Sequence, residues 1–302
     1  MSEKSPASAP ANAPSPSIEK SLERGGARIA YSVSGPPYGV SLDEPAVVLG
    51  HSLLCDRRMW QDVAPRLAER RRVISIDVRG HGASTAPGPF SLEDLADDWR
   101  AILDAEKIPR AILCGLSMGG MTAMRLALAS PERVAALALL DSSADPQPAW
   151  ERVKFGVMAH VVARFGFLRV IGAAVKPVMF GRTSIKERRE LVERQWARIE
   201  ENDPKALFHG VRAVIDRRSI YERLPTLRCP TLVMVGAEDR ATPPERSRRI
   251  AAQIPGARLE SIERAGHLSA LEQPDVVART LGEFFDSIAV RVAEAGGRTH
   301  DQ

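Results

Sequence analysis

Cysteine is scarce in this chain of 302 residues, which has only Cys55, Cys114 and Cys229. An odd number leaves one thiol unpaired in any disulfide scheme, and the spacing matches no metal-binding motif. We therefore expect neither a disulfide framework nor a bound metal. Such cysteine usage is typical of proteins in a reducing compartment, and we expect a cytoplasmic protein.

Long apolar runs are also missing. Because no run of about 18 apolar residues occurs, we expect no membrane span. The first twenty residues are rich in Ala, Pro and Ser and lack the apolar segment of a signal peptide. We therefore predict a disordered tail over residues 1–22 and a flexible tail over residues 291–302.

Neither sign of charge dominates the sequence. The formal net charge is +4, from 42 Lys and Arg against 38 Asp and Glu. The densest basic run, Arg70-Arg71-Arg72, lies between a helical pattern and a strand pattern, without interleaved aromatic residues. A solvated helix end explains this run better than a nucleic-acid site, so we expect no nucleic-acid partner.

From about Gly25 the chain alternates short apolar strands with helical patterns. This alternation is typical of an α/β fold with a mostly parallel central sheet flanked by helices. The strand patterns lie at residues 28–33, 46–49, 72–77, 111–114, 134–140, 230–236 and 257–262.

The alternation stops between residues 142 and 224, where apolar residues recur at helical spacing. We predict a core in two parts, residues 23–141 and 225–290, with a helical cap over residues 142–224 inserted between them. Such an insertion lies over the carboxyl ends of the strands, where open parallel sheets bind ligands. A helical bundle with a purely structural role is the alternative interpretation.

A Gly-x-Ser-x-Gly sequence, Gly115-Leu116-Ser117-Met118-Gly119, stands between a buried-strand pattern and a helical pattern. In this context it is typical of a nucleophile elbow, a strained strand-to-helix turn whose small residues prevent backbone clashes. The turn points the serine hydroxyl at a helix N-terminus, which favours negative charge. Ser117 is therefore the predicted nucleophile.

A serine nucleophile needs a positioned base, and the base needs an orienting carboxylate. Asp239 follows the strand pattern at residues 230–236, and His267 follows the last strand pattern. One helix and one strand fit between the two residues, so both return to the same edge of the sheet. Glu238 is the rival acid, but one position earlier it is expected to face away from the histidine.

Two backbone N–H groups are predicted to stabilise the oxyanion, those of Met118 and Leu53. Leu53 lies in the loop after the strand pattern at residues 46–49. His51 in the same loop, and His81 in a later turn, are interpreted as residues that hold their loops by hydrogen bonds.

Three apolar residues are predicted to bind the substrate, namely Trp60, Phe155 and Met158. Phe155 and Met158 belong to the predicted cap. The alternative interpretation is that most apolar residues of the cap pack only between its own helices.

These motifs together resemble the α/β-hydrolase superfamily from roughly residue 25 to residue 288, excluding much of the insertion between residues 142 and 224. Segments 52–54, 58–60, 90–98 and 115–121 are most similar to 3-oxoadipate enol-lactonases and the esterases near them. Those lactonases commonly have Asn-Ser-Leu-Gly where this chain has His51-Ser52-Leu53-Leu54. The resemblance implies an α/β-hydrolase fold with a Ser-His-Asp triad and no cofactor.

We therefore predict an enzyme that hydrolyses a carboxylic ester or a lactone of small size through an acyl-enzyme. Acyl transfer or perhydrolysis on the same acyl-enzyme is one alternative. A ligand-binding protein that has lost turnover is an alternative of a different class. The sequence names neither the substrate nor the oligomeric state.

Overall fold

The computed structural model describes residues 17–36 and 44–297 and contains one eight-stranded sheet. The strands are β1 (Ile18–Arg24), β2 (Ala27–Ser34), β3 (Ala46–Gly50), β4 (Val73–Ile76), β5 (Ala111–Leu116), β6 (Val134–Leu140), β7 (Thr231–Gly236) and β8 (Arg258–Ile262). Their spatial order is β1-β2-β4-β3-β5-β6-β7-β8. The β1–β2 and β2–β4 pairs are antiparallel and the other pairs are parallel. The predicted α/β-hydrolase sheet is confirmed.

The first strand corrects the predicted N-terminal tail. Residues 18–22, expected to be disordered, belong to β1, which pairs along its whole length with β2. The two strands are joined by Gly25 and Gly26, with φ of 56° and 74°. A two-residue hairpin turn of this kind needs positive φ at both positions, which glycine adopts without strain. Residues 1–16 of the predicted tail lie outside the described residues.

Helices cover both faces of the sheet. In chain order they are α1 (Ala64–Ala68), α2 (Leu92–Ala105), α3 (Met118–Ala129), α4 (Ala149–Phe165), α5 (Arg169–Met179), α6 (Arg182–Glu187), α7 (Arg189–Glu200), α8 (Pro204–Ile215), α9 (Pro244–Gln253), α10 (Ser269–Glu272) and α11 (Pro274–Gly297). The central strands are buried on both sides: Val47 and Leu49 of β3 belong to one hydrophobic cluster, and Val48 belongs to the other. In the sequence, strands that are buried on both faces form continuous apolar runs.

The C-terminal helix corrects the second predicted tail. Helix α11 continues to Gly297, so residues 291–297 are helical. The sequence after Val290 contains good helix formers such as Ala and Glu, which explains why the helix extends past residue 290. Residues 298–302 lie outside the described residues.

Helices α4 to α8, which we call the cap, lie between β6 and β7, two neighbouring parallel strands. They occupy residues 149–215, inside the predicted boundaries of 142–224. Because the chain enters the cap from the carboxyl end of β6, the cap stands at the edge of the sheet where β5 delivers Ser117. Within the described ranges, no helix is both long enough and apolar enough to cross a membrane.

Candidate active site

Ser117 forms the turn between β5 and α3 with φ of 54° and ψ of −110°. A positive φ strains a residue that has a Cβ atom, at a cost on the order of 1–3 kcal/mol. Three hydrogen bonds hold this backbone in place. The Ser117 N–H donates to Leu140 O at 2.8 Å, and Ser117 O accepts from Met121 N at 2.9 Å and from Ser142 Oγ at 2.9 Å.

The glycines of the motif allow backbone to pack against backbone. A Cβ atom on Gly115 would lie 2.2 Å from the carbonyl carbon of Gly119, and one on Gly119 would lie 2.3 Å from Gly50 O. Helix α3 therefore lies directly against β5 and β3. The Gly119 N–H also donates to His51 O at 3.1 Å, which fixes the loop after β3 to the elbow.

The predicted base, His267, and the predicted acid, Asp239, contact each other. His267 Nδ1 lies 3.0 Å from Asp239 Oδ2 and 3.2 Å from Oδ1, and both residues are buried. Asp239 accepts further hydrogen bonds from Ala241 N at 2.8 Å, Thr242 N at 3.0 Å and Thr242 Oγ1 at 2.7 Å. With Nδ1 donating to Asp239, the ring leaves Nε2 as an acceptor for a serine proton.

The electrostatics of His267 combine opposing effects. Burial of the ring lowers its pKa, but the charge and hydrogen bond of Asp239 act in the other direction and prevail. The pKa of His267 therefore lies above its ordinary value. Ser117 and His267 line the same cavity. Within the described residues no hydrogen bond joins the two side chains, and in enzymes without substrate such bonds are often long.

The rival acid, Glu238, faces another part of the molecule. Its carboxylate accepts hydrogen bonds from Thr183 N at 2.8 Å and Thr183 Oγ1 at 2.7 Å, and it pairs with Arg182 at 3.4 Å. Because Arg182 and Thr183 belong to α6, Glu238 connects the core to the cap. The adjacent Asp239 contacts the histidine.

Leu53 and Met118 are the residues whose backbone N–H groups are the predicted oxyanion donors. Leu53 lines the cavity beside Ser117 and His267. Met118 is the first residue of α3, and the first N–H groups of a helix have no partner within the helix. The next N–H, that of Gly119, is already bonded to the His51 carbonyl, so it is not available to a substrate.

His51 and His81 hold loops, in agreement with their interpretation from sequence. Val78 N donates to His51 Nε2 at 3.0 Å, while His51 Nδ1 contacts Ser52 O at 2.8 Å. His81 Nδ1 contacts Arg79 O at 2.9 Å. Burial lowers the pKa of His51 to about 4 and that of His81 to about 3, so both rings are neutral at pH 7.

A cavity of about 360 Å³ extends from Ser117 into the cap. Phe155 and Met158 line it, as predicted for substrate-binding residues. Trp60 does not line it, which corrects the prediction. This side chain is fully buried in a hydrophobic cluster with Met59, because the short 3₁₀ turn Arg57–Trp60 directs both side chains into the interior.

Sequence reasoning missed two supporting residues. Thr242 donates to Asp239 and lies 3.2 Å from His267 Nδ1, so it fixes the geometry of the pair. Its position three residues after the acid is a signal, because Asp commonly accepts hydrogen bonds from residues two or three positions ahead in turns.

Asp141, the second missed residue, directly follows β6; it has φ of 45° and is fully buried. Its carboxyl accepts from Gly236 N at 2.7 Å and from Ser269 Oγ, so it links the segments that carry Asp239 and His267. Burial, and then the charge of Asp239, raise the pKa of Asp141 well above its ordinary value. A polar residue at the carboxyl end of an apolar run was the available signal.

No three or more His, Cys, Asp or Glu side chains among the described residues are grouped as a metal site.

Comparison with known proteins shows what the chain is similar to. A family model described as alpha/beta hydrolase fold matches residues 45–274. The 3-oxoadipate enol-lactonase 2 of Acinetobacter baylyi is 31% identical over 235 residues, covering 77% of this chain and 85% of the lactonase.

Solved structures give the same result. A thermophilic esterase from Thermogutta terrifontis superimposes with a TM-score of 0.82 at 28% identity, covering 91% of this chain and 99% of the esterase. The enol-lactonase from Burkholderia xenovorans LB400 has a TM-score of 0.81 at 29% identity, covering 88% of this chain and 100% of the lactonase. The similarity thus spans the core and the cap.

Proposed function

We propose, from the premise that the chain belongs to the α/β-hydrolase family, that it cleaves a carboxylic ester or a lactone through an acyl-enzyme on Ser117. The family and the named relatives establish an enzyme of the ester-hydrolase type. One observation carries the finer proposal: the elbow serine lines the same cavity as His267, whose Nδ1 lies 3.0 Å from Asp239 Oδ2.

In the acylation step, Ser117 Oγ attacks the carbonyl carbon of the substrate while His267 Nε2 accepts the hydroxyl proton. Asp239 holds the ring through Nδ1 and stabilises the positive charge that forms on it. The N–H groups of Leu53 and Met118 stabilise the oxyanion of the tetrahedral intermediate. When this intermediate collapses, the bond to the alcohol oxygen breaks and His267 returns the proton to that oxygen.

Deacylation repeats the same steps with water. His267 removes a proton from the water, the hydroxide attacks the acyl carbon, and the proton goes to Ser117 Oγ as the ester bond to the enzyme breaks. An open ester yields an acid and an alcohol. A lactone yields a single hydroxy acid, because its alcohol stays attached to the acyl group.

The test is replacement of the nucleophile. We expect Ser117→Ala to lower kcat on p-nitrophenyl esters by about 10⁴-fold or more and to abolish labelling by a fluorophosphonate probe. Ser219→Ala, a substitution of an exposed serine, is the matched control and should leave both readouts unchanged. Wild-type turnover in Ser117→Ala would contradict the mechanism. A folded wild-type protein that resists labelling and cleaves no ester would favour a binding function.

A further inference from the structure

The cavity at Ser117 has two chemically different ends. Its core end contains the polar residues Ser117, His267, Thr242 and Ser52. Its cap end is formed by residues of α4, α5, α7 and α8. Every residue that α5, α7 and α8 contribute to the lining is apolar, including Ile171, Val175, Trp196, Leu207, Phe208 and Val211.

Charged side chains at this cavity, other than His267, lie where solvent reaches them. Lys154 and Arg240 are exposed, and Lys154 stands 5.4 Å over the ring of Phe155. Glu151 is half-buried and accepts a hydrogen bond from Gln147. A carboxylate or a polar chain bound against α5, α7 and α8 would therefore lose its water without gaining a charged partner from these helices, which is unfavourable.

We infer that the substrate carries a neutral apolar carbon chain next to its reacting carbonyl, and that this chain occupies the cap end of the cavity. This inference rests on the proposed function and names its substrate class. Two kinds of substrate would carry such an apolar chain. In an open ester the chain is the acyl part, and in a lactone it is an alkyl group on the ring. The volume of about 360 Å³ falls in the range of small-molecule sites, which is roughly 300–1,000 Å³.

Two substrate series test the inference and separate these sources. The first consists of p-nitrophenyl acetate, butanoate, hexanoate, octanoate and decanoate. The second consists of γ-butyrolactones with alkyl groups of increasing length. We expect kcat/KM to rise by up to about fourfold per added methylene until the cavity is filled. The rise should occur in the ester series if the substrate is an open ester and in the lactone series if it is a lactone. A flat or falling dependence in both series would overturn the inference.

A charged analogue tests the neutrality of the chain. The mono-p-nitrophenyl ester of adipic acid has the same number of acyl carbons as p-nitrophenyl hexanoate but ends in a carboxylate. We expect its kcat/KM to be at least about tenfold lower, because the lining from α5, α7 and α8 offers no cation to the carboxylate and Lys154 of α4 is solvent-exposed. Equal or faster cleavage of the adipate ester would contradict the inference.

Neighbouring residues on one helix provide matched variants. Ile171 of α5 lines the cavity, whereas Val170 points outward and is 68% exposed. Ile171→Trp should fill the cap end and move the preferred chain to a shorter length, and Ile171→Ala should move it to a longer one. Val170→Trp should leave the chain-length profile unchanged.

A second pair lies on α4, where Met158 lines the cavity and Val157 is 59% exposed. Met158→Trp should shorten the preferred chain and Val157→Trp should not. If both variants of a pair behave alike, the assignment of the cap end is wrong. If the wild type cleaves no ester or lactone and Ser117 resists fluorophosphonate, the proposed function itself fails.

A different observation concerns the hydroxyl of Ser52. It is fully buried, it lines the cavity, and it forms no hydrogen bond with any described residue. The other two hydroxyls at the cavity are accounted for, because Ser117 is the proposed nucleophile and Thr242 donates to Asp239. A buried hydroxyl without a partner is unfavourable, so its position in a binding cavity points to a partner that arrives with the substrate.

We infer that Ser52 Oγ donates a hydrogen bond to the reacting carbonyl oxygen, beside the N–H of Leu53. The interaction strengthens as negative charge develops on that oxygen, so it acts on kcat more than on KM. The inference depends on the proposed function, but its test includes a readout that survives without turnover.

We expect Ser52→Ala to lower kcat by about tenfold or more with a smaller change in KM, while Ser117 still reacts with fluorophosphonate. Ser52→Thr keeps a hydroxyl and should recover part of the loss. Ser247→Ala is the matched control, since that hydroxyl in α9 is also buried and unpartnered among the described residues but lies away from the cavity. Unchanged kinetics in Ser52→Ala, or a loss of stability alone, would overturn the inference.

Discussion

The core and the cap differ in what their side chains face. In the core, backbone contacts set the elbow, and buried charges are paired: Arg79 Nε lies 2.6 Å from Asp98 Oδ2, with both side chains almost completely buried. The cap has apolar residues on its cavity face and also on its outer face. Seven of the nine exposed large hydrophobic residues described belong to it, namely Trp150, which also lines the cavity, and Val153, Val157, Phe165, Leu168, Val170 and Ile185.

This difference indicates a division of tasks. The reaction depends on atoms that must stay within a few tenths of an ångström of their positions, and the close-packed core provides that precision. Recognition of an apolar chain depends mainly on shape and area, which a group of helices with apolar faces can supply. Substitutions in the core should therefore change rate or folding, and those in the cap should change substrate preference.

The largest difference is expected between two adjacent acids. Asp239→Asn keeps the shape of the side chain but cannot stabilise the imidazolium, so kcat should fall by about 10⁴-fold. Glu238→Gln, whose contacts run to Thr183 in the cap, should keep kcat within a few fold. Steady-state kinetics on one p-nitrophenyl ester measures both. Similar losses in the two variants would mean that the acid has been assigned wrongly.

Glycine replacements probe packing in the two regions. Gly119→Ala places a Cβ atom 2.3 Å from Gly50 O, so we expect it to destabilise the fold by about 1–3 kcal/mol and to impair turnover. Gly156→Ala lies in α4, where the nearest atoms are 3.6 Å from the new Cβ, and it should stabilise the helix by up to about 1 kcal/mol. Urea unfolding measures both changes. A stable and active Gly119→Ala variant would show that the elbow can accommodate a Cβ atom at this position, contrary to the packing in the structure.

The pH dependence tests the electrostatics of the core. His267 must be neutral to act as a base, and its pKa is raised above 6.5. We expect kcat/KM to rise with pH through this elevated pKa and then to level off. Asp239→Asn removes the charge that raises the pKa, so the residual activity should titrate at a lower pH. If the midpoint of the pH profile were the same in Asp239→Asn and the wild type, Asp239 would not be the group that raises the pKa of His267.

The raised pKa of His267 also affects the stability of the fold. A histidine with a raised pKa in the folded state stabilises the fold fully below its unfolded pKa, and that contribution is lost as pH rises through the folded pKa. The loss of His267 stabilisation therefore falls in the range where activity increases. Unfolding measurements on His267→Gln beside the wild type isolate this contribution.

The smallest effect is expected at an ion pair between core and cap. Arg58 Nη2 lies 2.7 Å from Glu201 Oε2, but the two side chains are 45% and 57% exposed. Such exposed pairs contribute about 0–1 kcal/mol, so Glu201→Gln should hardly change urea unfolding or kinetics. A large destabilisation would show that the cap is held by charge rather than by packing.

The sheet and the proximity of the proposed base and acid could be predicted because both follow local rules. Apolar runs mark the strands, and the carboxyl ends of parallel strands share one edge, so Ser117, Asp239 and His267 were located from three separate segments. Trp60 was misplaced because its orientation depends on the irregular turn after β3, for which sequence periodicity gives no direction. The unpartnered state of Ser52 likewise depends on neighbours that are distant in sequence.

The position of the cap between β6 and β7 has a consequence for how this enzyme type diversifies. Parallel neighbours need a long crossover in any case, so the cap extends a connection that the sheet already requires. Its two attachment points are set by the β6–β7 ladder and do not depend on the five helices themselves. Grafting the corresponding segment of a relative onto this sheet should therefore give chimeras that retain the reaction and inherit the donor's choice of acyl group.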